Sequence, residues 1–226
     1  MSTRRMLTYL LLFAIVMFFA GLTSAYVVSM SGGYWVRVRI PNAFYISTVV
    51  IIASSLTAQM ALVGTRRGRP DTAPLWLLLT LIGGVGFTWS QFRGWSELVQ
   101  GGNHLVGKVL DNSGVYGVDY TITKNGEPLV LADGMFYLAS DVDHRHALNA
   151  ELNEQRNNAS SYIYVLTAAH LTHLAFGLLA LLVMTLKAWQ GRYSAADHAG
   201  LWSGVLYWHF LAGLWVYLLL FLTFVH

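Results

Sequence analysis

The sequence predicts an all-α integral membrane protein, a five-transmembrane-helix bundle with its N-terminus inside and its C-terminus outside, and a long outer loop between helices three and four. Three observations carry that prediction. The 226 residues are 55% hydrophobic and only 11% charged, where a soluble domain carries about 25% charged residues. Five apolar stretches, near 6–30, 43–63, 74–96, 160–187 and 201–224, are each long enough for the roughly 20 helical residues that cross a bilayer core. Arg4, Arg5, Arg66, Arg67, Arg69, Lys187 and Arg192 fall on one side of these stretches and the acidic residues from Glu97 to Glu154 on the other, the positive-inside pattern. That topology accounts for the net charge of +3, so no nucleic acid is implied. The absence of cysteine excludes disulfides, thiolate metal sites and haem attached through paired cysteines. The chain reads as a single membrane domain over 1–226, with 98–159 as the outer loop.

Helix one follows Arg4 and Arg5, as a signal peptide would, but its uninterrupted apolar run of about 17 residues exceeds a 7–15-residue signal core. A retained span is expected. Gly21, Ser24 and Ala25 form a small-residue patch that allows close helix approach. In the next loop Tyr34 and Trp35 suit the membrane interface, and Arg37 and Arg39 alternate with Val36, Val38 and Ile40; an interfacial anchor with a short extended segment is expected. Helix two carries Ser47, Thr48, Ser54, Ser55, Thr57 and Gln59 but no carboxylate or histidine, which favours helix packing over a proton path.

Helix three starts after the Pro- and Arg-rich TRRGRPDTAP, and its Gly83, Gly84 and Gly86 favour close packing. At its outer end Trp89 and Trp95 read as an aromatic belt, with Arg93 and Glu97 spaced i, i+4 to pair. In the outer loop, VDYTITKNGEPLVL places alternating apolar residues around Asn125-Gly126, a strong β-hairpin signal. A hairpin cap is expected there. DVDHRHALNAELNEQRN reads as a short amphipathic helix. Its Asp141, Asp143, His144 and His146 have metal-ligating side chains, but on a solvated loop without supporting groups no metal site is expected.

Helix four, around YVLTAAHLTHLAFG, carries His170 and His173, and helix five adds Trp208, His209 and Trp215. Imidazoles at membrane depth need protein, water or headgroup partners. Three of them raise bis-histidine haem ligation, as in an independent membrane cytochrome. His170 and His173 share a helix face and lie too close together to grip opposite sides of one porphyrin, so a haem would need His209 with one of that pair. Interhelical hydrogen bonding or contact with lipid phosphate is the favoured alternative.

YVLTAAHLTHLAFG followed by YWHFLAGLWVYLLLF resembles the last two helices of subunit III of the haem–copper terminal oxidases, which read FxxTGxHxxHxxxG and YWHFVDxVWLxL. FFAGLTSAY in helix one and FTWSQFRGWSEL in helix three resemble that family's FFxGFFxAY and FxxxQxxEYxE. The likeness covers most of the chain outside the outer loop and points to the short, five-helix bacterial form. It implies an accessory, non-catalytic subunit of a proton-pumping cytochrome c oxidase in a bacterial inner membrane. Such a subunit has no haem, copper or other cofactor of its own, packs on the catalytic subunit I beside the other oxidase subunits, binds phospholipid and supports sustained turnover. The same fold in a quinol oxidase or beside nitric oxide reductase is the related alternative. His170, His173, Trp208, His209 and Trp215 fall on motif positions and Glu97 on the final glutamate of the helix-three motif; with Arg93 they are the lipid-binding or packing candidates. Ile15 stands where many members have a buried glutamate and Ala212 where they have an aspartate, so carbodiimide chemistry at that glutamate is expected to be absent. The long outer loop suggests a further partner outside, such as another respiratory complex or a cytochrome c.

Overall fold

A computed structural model gives the structure of residues 3–226, apart from the side chain of Arg4; that side chain, counted above among the inside charges, lies outside the described residues. In chain order the elements are α1 (Thr3–Met30), β1 (Tyr34–Val38), α2 (Asn42–Arg66), α3 (Ala73–Gln100), β2 (Tyr120–Lys124), β3 (Glu127–Ala132), β4 (Met135–Leu138), α4 (Asn149–Glu154), α5 (Asn158–Trp189) and α6 (Ala199–Phe224). Five helices, α1, α2, α3, α5 and α6, are long and apolar enough to cross a membrane. Left-handed glycines end two of them: Gly68 (φ +77°) follows α2 and Gly191 (φ +67°) follows α5. After α5 the amide of Arg192 returns to the carbonyl of Lys187 at 3.0 Å, which satisfies a carbonyl the helix would otherwise leave open.

The chain divides into two compact units. The first takes in α1 up to Phe18, Asn42–Arg93 and Ala168–Leu219. Its interior is built from helix faces, with Phe44, Ile51, Leu77, Phe87, Trp208 and Trp215 all fully buried. Two glycines make room for the largest of these side chains. A Cβ on Gly84 would lie 2.6 Å from Leu178 and from the Trp208 ring, and one on Gly177 would lie 3.3 Å from the same ring. The indole therefore fits a notch that only residues without a side chain provide.

The second unit comprises Phe19–Pro41, Gly94–Thr167 and Leu220–His226. It contains an antiparallel sheet in the order β1-β2-β3-β4. β1 runs against β2 with Tyr34 opposite Lys124 and Val38 opposite Tyr120. β2 turns into β3 through Asn125 (φ +51°) and Gly126 (φ +85°), the backbone that a two-residue hairpin with the right strand twist requires. Val36, Ile122, Leu129 and Phe136 are buried on one face of the sheet, while Trp35, on the opposite face of β1, is buried against Tyr26. The outer edge of β4 is covered: Leu148 N–H donates to the carbonyl of Phe136 at 2.8 Å, and Phe136 N–H donates to the Asn149 side chain at 2.7 Å.

Three expectations change. Tyr34 and Trp35 do not face outward as an interfacial anchor would, since they are 8% and 2% exposed within the extended segment β1; Trp35 packs against Tyr26 and Tyr162, and the Tyr34 hydroxyl donates to Glu151. The amphipathic helix shrinks to Asn149–Glu154. Upstream of it the Asp141 carboxylate accepts the amides of Arg145 (3.2 Å) and His146 (2.8 Å), and His144 turns left-handed (φ +52°), so the backbone there closes a turn. The loop expected over 98–159 is shorter at both ends, because α3 runs on to Gln100 and α5 starts at Asn158.

Candidate functional site

The hydroxyls of α2 are the starting point. In an apolar helix a serine or threonine can return its proton to its own backbone or reach across to a neighbour, and α2 does both. Ser47 and Thr48 each donate to the carbonyl of Phe44 at 2.8 Å. Their oxygens then accept from other helices: Gln91 Nε2–H donates to Ser47 at 2.8 Å and Trp215 Nε1–H donates to Thr48 at 2.9 Å. One level along, Trp208 Nε1–H donates to Ser54 at 3.0 Å, and Ser54 donates to the carbonyl of Thr80 at 3.0 Å. α2 is thereby laced to α3 on one side and α6 on the other.

His209 completes the lacing. Its Nε2 lies 3.0 Å from the Gln59 side-chain oxygen, and Ser55 Oγ is hydrogen-bonded to its Nδ1. An amide oxygen only accepts, so Nε2 carries the ring proton and Nδ1 accepts the Ser55 hydroxyl. Both nitrogens of the imidazole are occupied by α2.

The two histidines of α5 part company. Residues three apart are about 60° apart around a helix, enough here to send them to different surroundings. His170 is fully buried, 5.8 Å from the Phe87 ring and 5.4 Å from the Trp215 ring between centroids. His173 is half-buried; its Nδ1–H donates to the carbonyl of Ala169 at 2.7 Å, and its own carbonyl accepts the Tyr207 hydroxyl at 3.0 Å. It opens on an apolar groove of about 740 Å³ between α1, α5 and α6. Leu11, Ile15, Phe176 and Val183 line the groove, with Lys187 and Tyr193 at its polar end.

The expected residues therefore separate by role. Trp208 and Trp215 are fully buried and hydrogen-bonded to Ser54 and Thr48 of α2, the geometry of helix packing. Arg93 turns back over the ring of Trp89, 4.5 Å from its centroid, in place of the expected pairing with Glu97, and both Arg93 and Glu97 are exposed. Ile15 forms part of the groove wall, and Ala212 is buried in α6.

Sequence reasoning missed a second polar node, in the second unit. The His226 imidazole is buried against Tyr26, on whose ring Trp35, Tyr162 and Phe221 pack at 5.0–5.4 Å. Nε2 accepts the amide of Val38 at 2.9 Å, and Nδ1 is hydrogen-bonded to the Tyr26 hydroxyl. Burial, reinforced by the charge of Arg37, pushes this imidazole down to about 4. A lone histidine after an apolar helix gives no sequence signal of such a fit. Lys124 and then Tyr34, both hydrogen-bonded to Glu151 at 2.6 Å, hold its carboxyl below the usual range and tie β1 and β2 to α4.

Comparison with known proteins follows this geometry. The family model described as Cytochrome c oxidase subunit III matches residues 142–225, the stretch that contains α5, α6 and His170, His173 and His209. A cytochrome c oxidase subunit 3 of Synechocystis sp. is 35% identical over 91 residues, 40% of this chain and 38% of that protein. One from Corynebacterium diphtheriae is 24% identical over 217 residues, 92% of this chain and 82% of that protein.

Proposed function

We propose that the chain is a member of the cytochrome c oxidase subunit III family, which its similarities support, and that it acts as the accessory, non-catalytic subunit of a proton-pumping cytochrome c oxidase in a bacterial cytoplasmic membrane. Oxygen reduction takes place at haem and copper held by partner subunits, while this chain packs on the catalytic subunit, holds phospholipid and prolongs turnover. His209 is the observation that carries the accessory reading. A bis-histidine haem would need its imidazole, yet both nitrogens are engaged by Ser55 and Gln59 of α2. The side chain holds helices together. The groove beside His173 supports the lipid part of the reading: apolar walls suit an acyl chain, and Lys187 and Tyr193 suit an anionic headgroup. The basic residues between spans support an N-terminus inside and a C-terminus outside.

Affinity purification of the tagged chain from its native membrane tests this reading. Haem- and copper-containing subunits should co-migrate with it on a native gel, and the separated polypeptide should show no Soret band. Recovery as a free monomer, or a bis-histidine spectrum that survives removal of every partner, would overturn the proposal.

A further inference from the structure

In the first unit, three buried polar atoms stand without a protein partner at one level of the helix core: both ring nitrogens of His170 and the side-chain oxygen of Gln91. The imidazole borders an aromatic cage. His170 packs against Phe87 and Trp215, Phe87 lies 5.1 Å from Trp215, and Trp215 lies 5.5 Å from Phe44. Gln91 follows Phe87 by one turn on the same face of α3, and its amide N–H reaches Ser47, three residues after Phe44. The contrast with His209 is sharp, since that imidazole has both nitrogens satisfied by the same helix α2 that binds Gln91.

Buried polar side chains are almost always bonded to protein or to ordered water, because an unbonded one forfeits its hydration with no return. A neutral imidazole brings one donor and one acceptor, and the Gln91 oxygen brings an acceptor. A ligand joining them must both accept and donate. It must also be small and uncharged, since the neighbouring side chains are aromatic rings and a serine, and no cluster of metal-ligating groups occurs among the described residues. We infer that His170 and Gln91 bind an internal water molecule, which accepts the imidazole N–H and donates to the Gln91 side-chain oxygen. The water ties α5 to α3 at a level where the protein itself supplies no direct bond. His170 is then a hydration site inside the helix core, distinct in role from the lacing residue His209 and the groove residue His173.

A density map of the native complex at a resolution that shows ordered water decides the matter. A discrete peak should lie within hydrogen-bond distance, about 3 Å, of one His170 nitrogen and of the Gln91 oxygen. An empty cage, with the imidazole N–H aimed at the Trp215 face, would overturn the inference. Thermal midpoints of His170→Phe, Gln91→Leu and the double variant in the complex give a second reading. With water bound, each single change lowers the midpoint and the double change lowers it by clearly less than their sum. A neutral or stabilising His170→Phe, additive with Gln91→Leu, speaks against the water.

Discussion

At the residue scale the histidines illustrate how one side chain takes different work from different neighbours. His209→Ala would remove two hydrogen bonds and leave Ser55 and Gln59 of α2 facing a gap, a loss of about 1–3 kcal/mol. The expected outcome is an oxidase that assembles less firmly and loses activity sooner, with an unchanged initial haem spectrum; an immediate spectral change would argue for ligation instead. Gly84→Ala tests the indole notch. The new methyl would meet Leu178 and Trp208 at 2.6 Å, and such overpacking costs about 1–3 kcal/mol, visible as a lowered thermal midpoint of the complex. That His170, His173, Trp208, His209 and Trp215 call for partners was legible from their polar or bulky character in apolar helices. Their partners were not, because hydroxyls such as Ser54 and Ser55 serve equally well as backbone-bonded residues, and only packing selects which of them reaches across.

At the element scale the long apolar helices were readable, since a bilayer-length run of apolar residues has few other uses. The β1–β2 pairing was not, because it joins segments some eighty positions apart and YWVRV also reads as an interfacial anchor. β1 is fastened by His226, and that fastening depends on pH. The imidazole is neutral in the fold, with a pKa near 4, against an ordinary value of about 6.5 when the segment opens. The opened state therefore binds more protons between those values, and the fastening is complete above about 6.5 and weakens as the pH falls toward 4. A charged ring would also present an N–H to the Val38 amide, which is itself a donor. Hydrogen exchange at Val38, corrected for its intrinsic rate, should speed up by at most about tenfold per pH unit across that range. A flat profile would mean that His226 does not hold the strand. In the hairpin, Gly126→Val should destabilise the second unit by about 1 kcal/mol or more, because a branched residue resists φ +85°; proteolysis of the outer segment would report it.

At the scale of the whole molecule, the accessory role proposed above works through what the chain holds in place. α2 stitches its neighbours with hydrogen bonds from Trp208, Trp215, Gln91 and His209, and such bonds matter in a membrane because apolar contact alone does not distinguish a neighbouring helix from lipid. In the proposed role, the groove is where a lipid would join the assembly. Its walls are mainly apolar, and Ile15 adds to them where a glutamate would introduce a carboxyl. Lys187, in the last turn of α5, is the group that would choose among headgroups. Removing one such cation should weaken attachment of an anionic phospholipid by about 1 kcal/mol, roughly fivefold, and leave zwitterionic lipid unaffected. Lipid mass spectrometry of the purified Lys187→Ala complex, normalised to haem, measures this directly. Loss of anionic phospholipid together with a shortened active lifetime would join lipid retention to sustained turnover. Retention of the same lipids would separate the groove from that role and leave the helix lacing as the sole support of turnover.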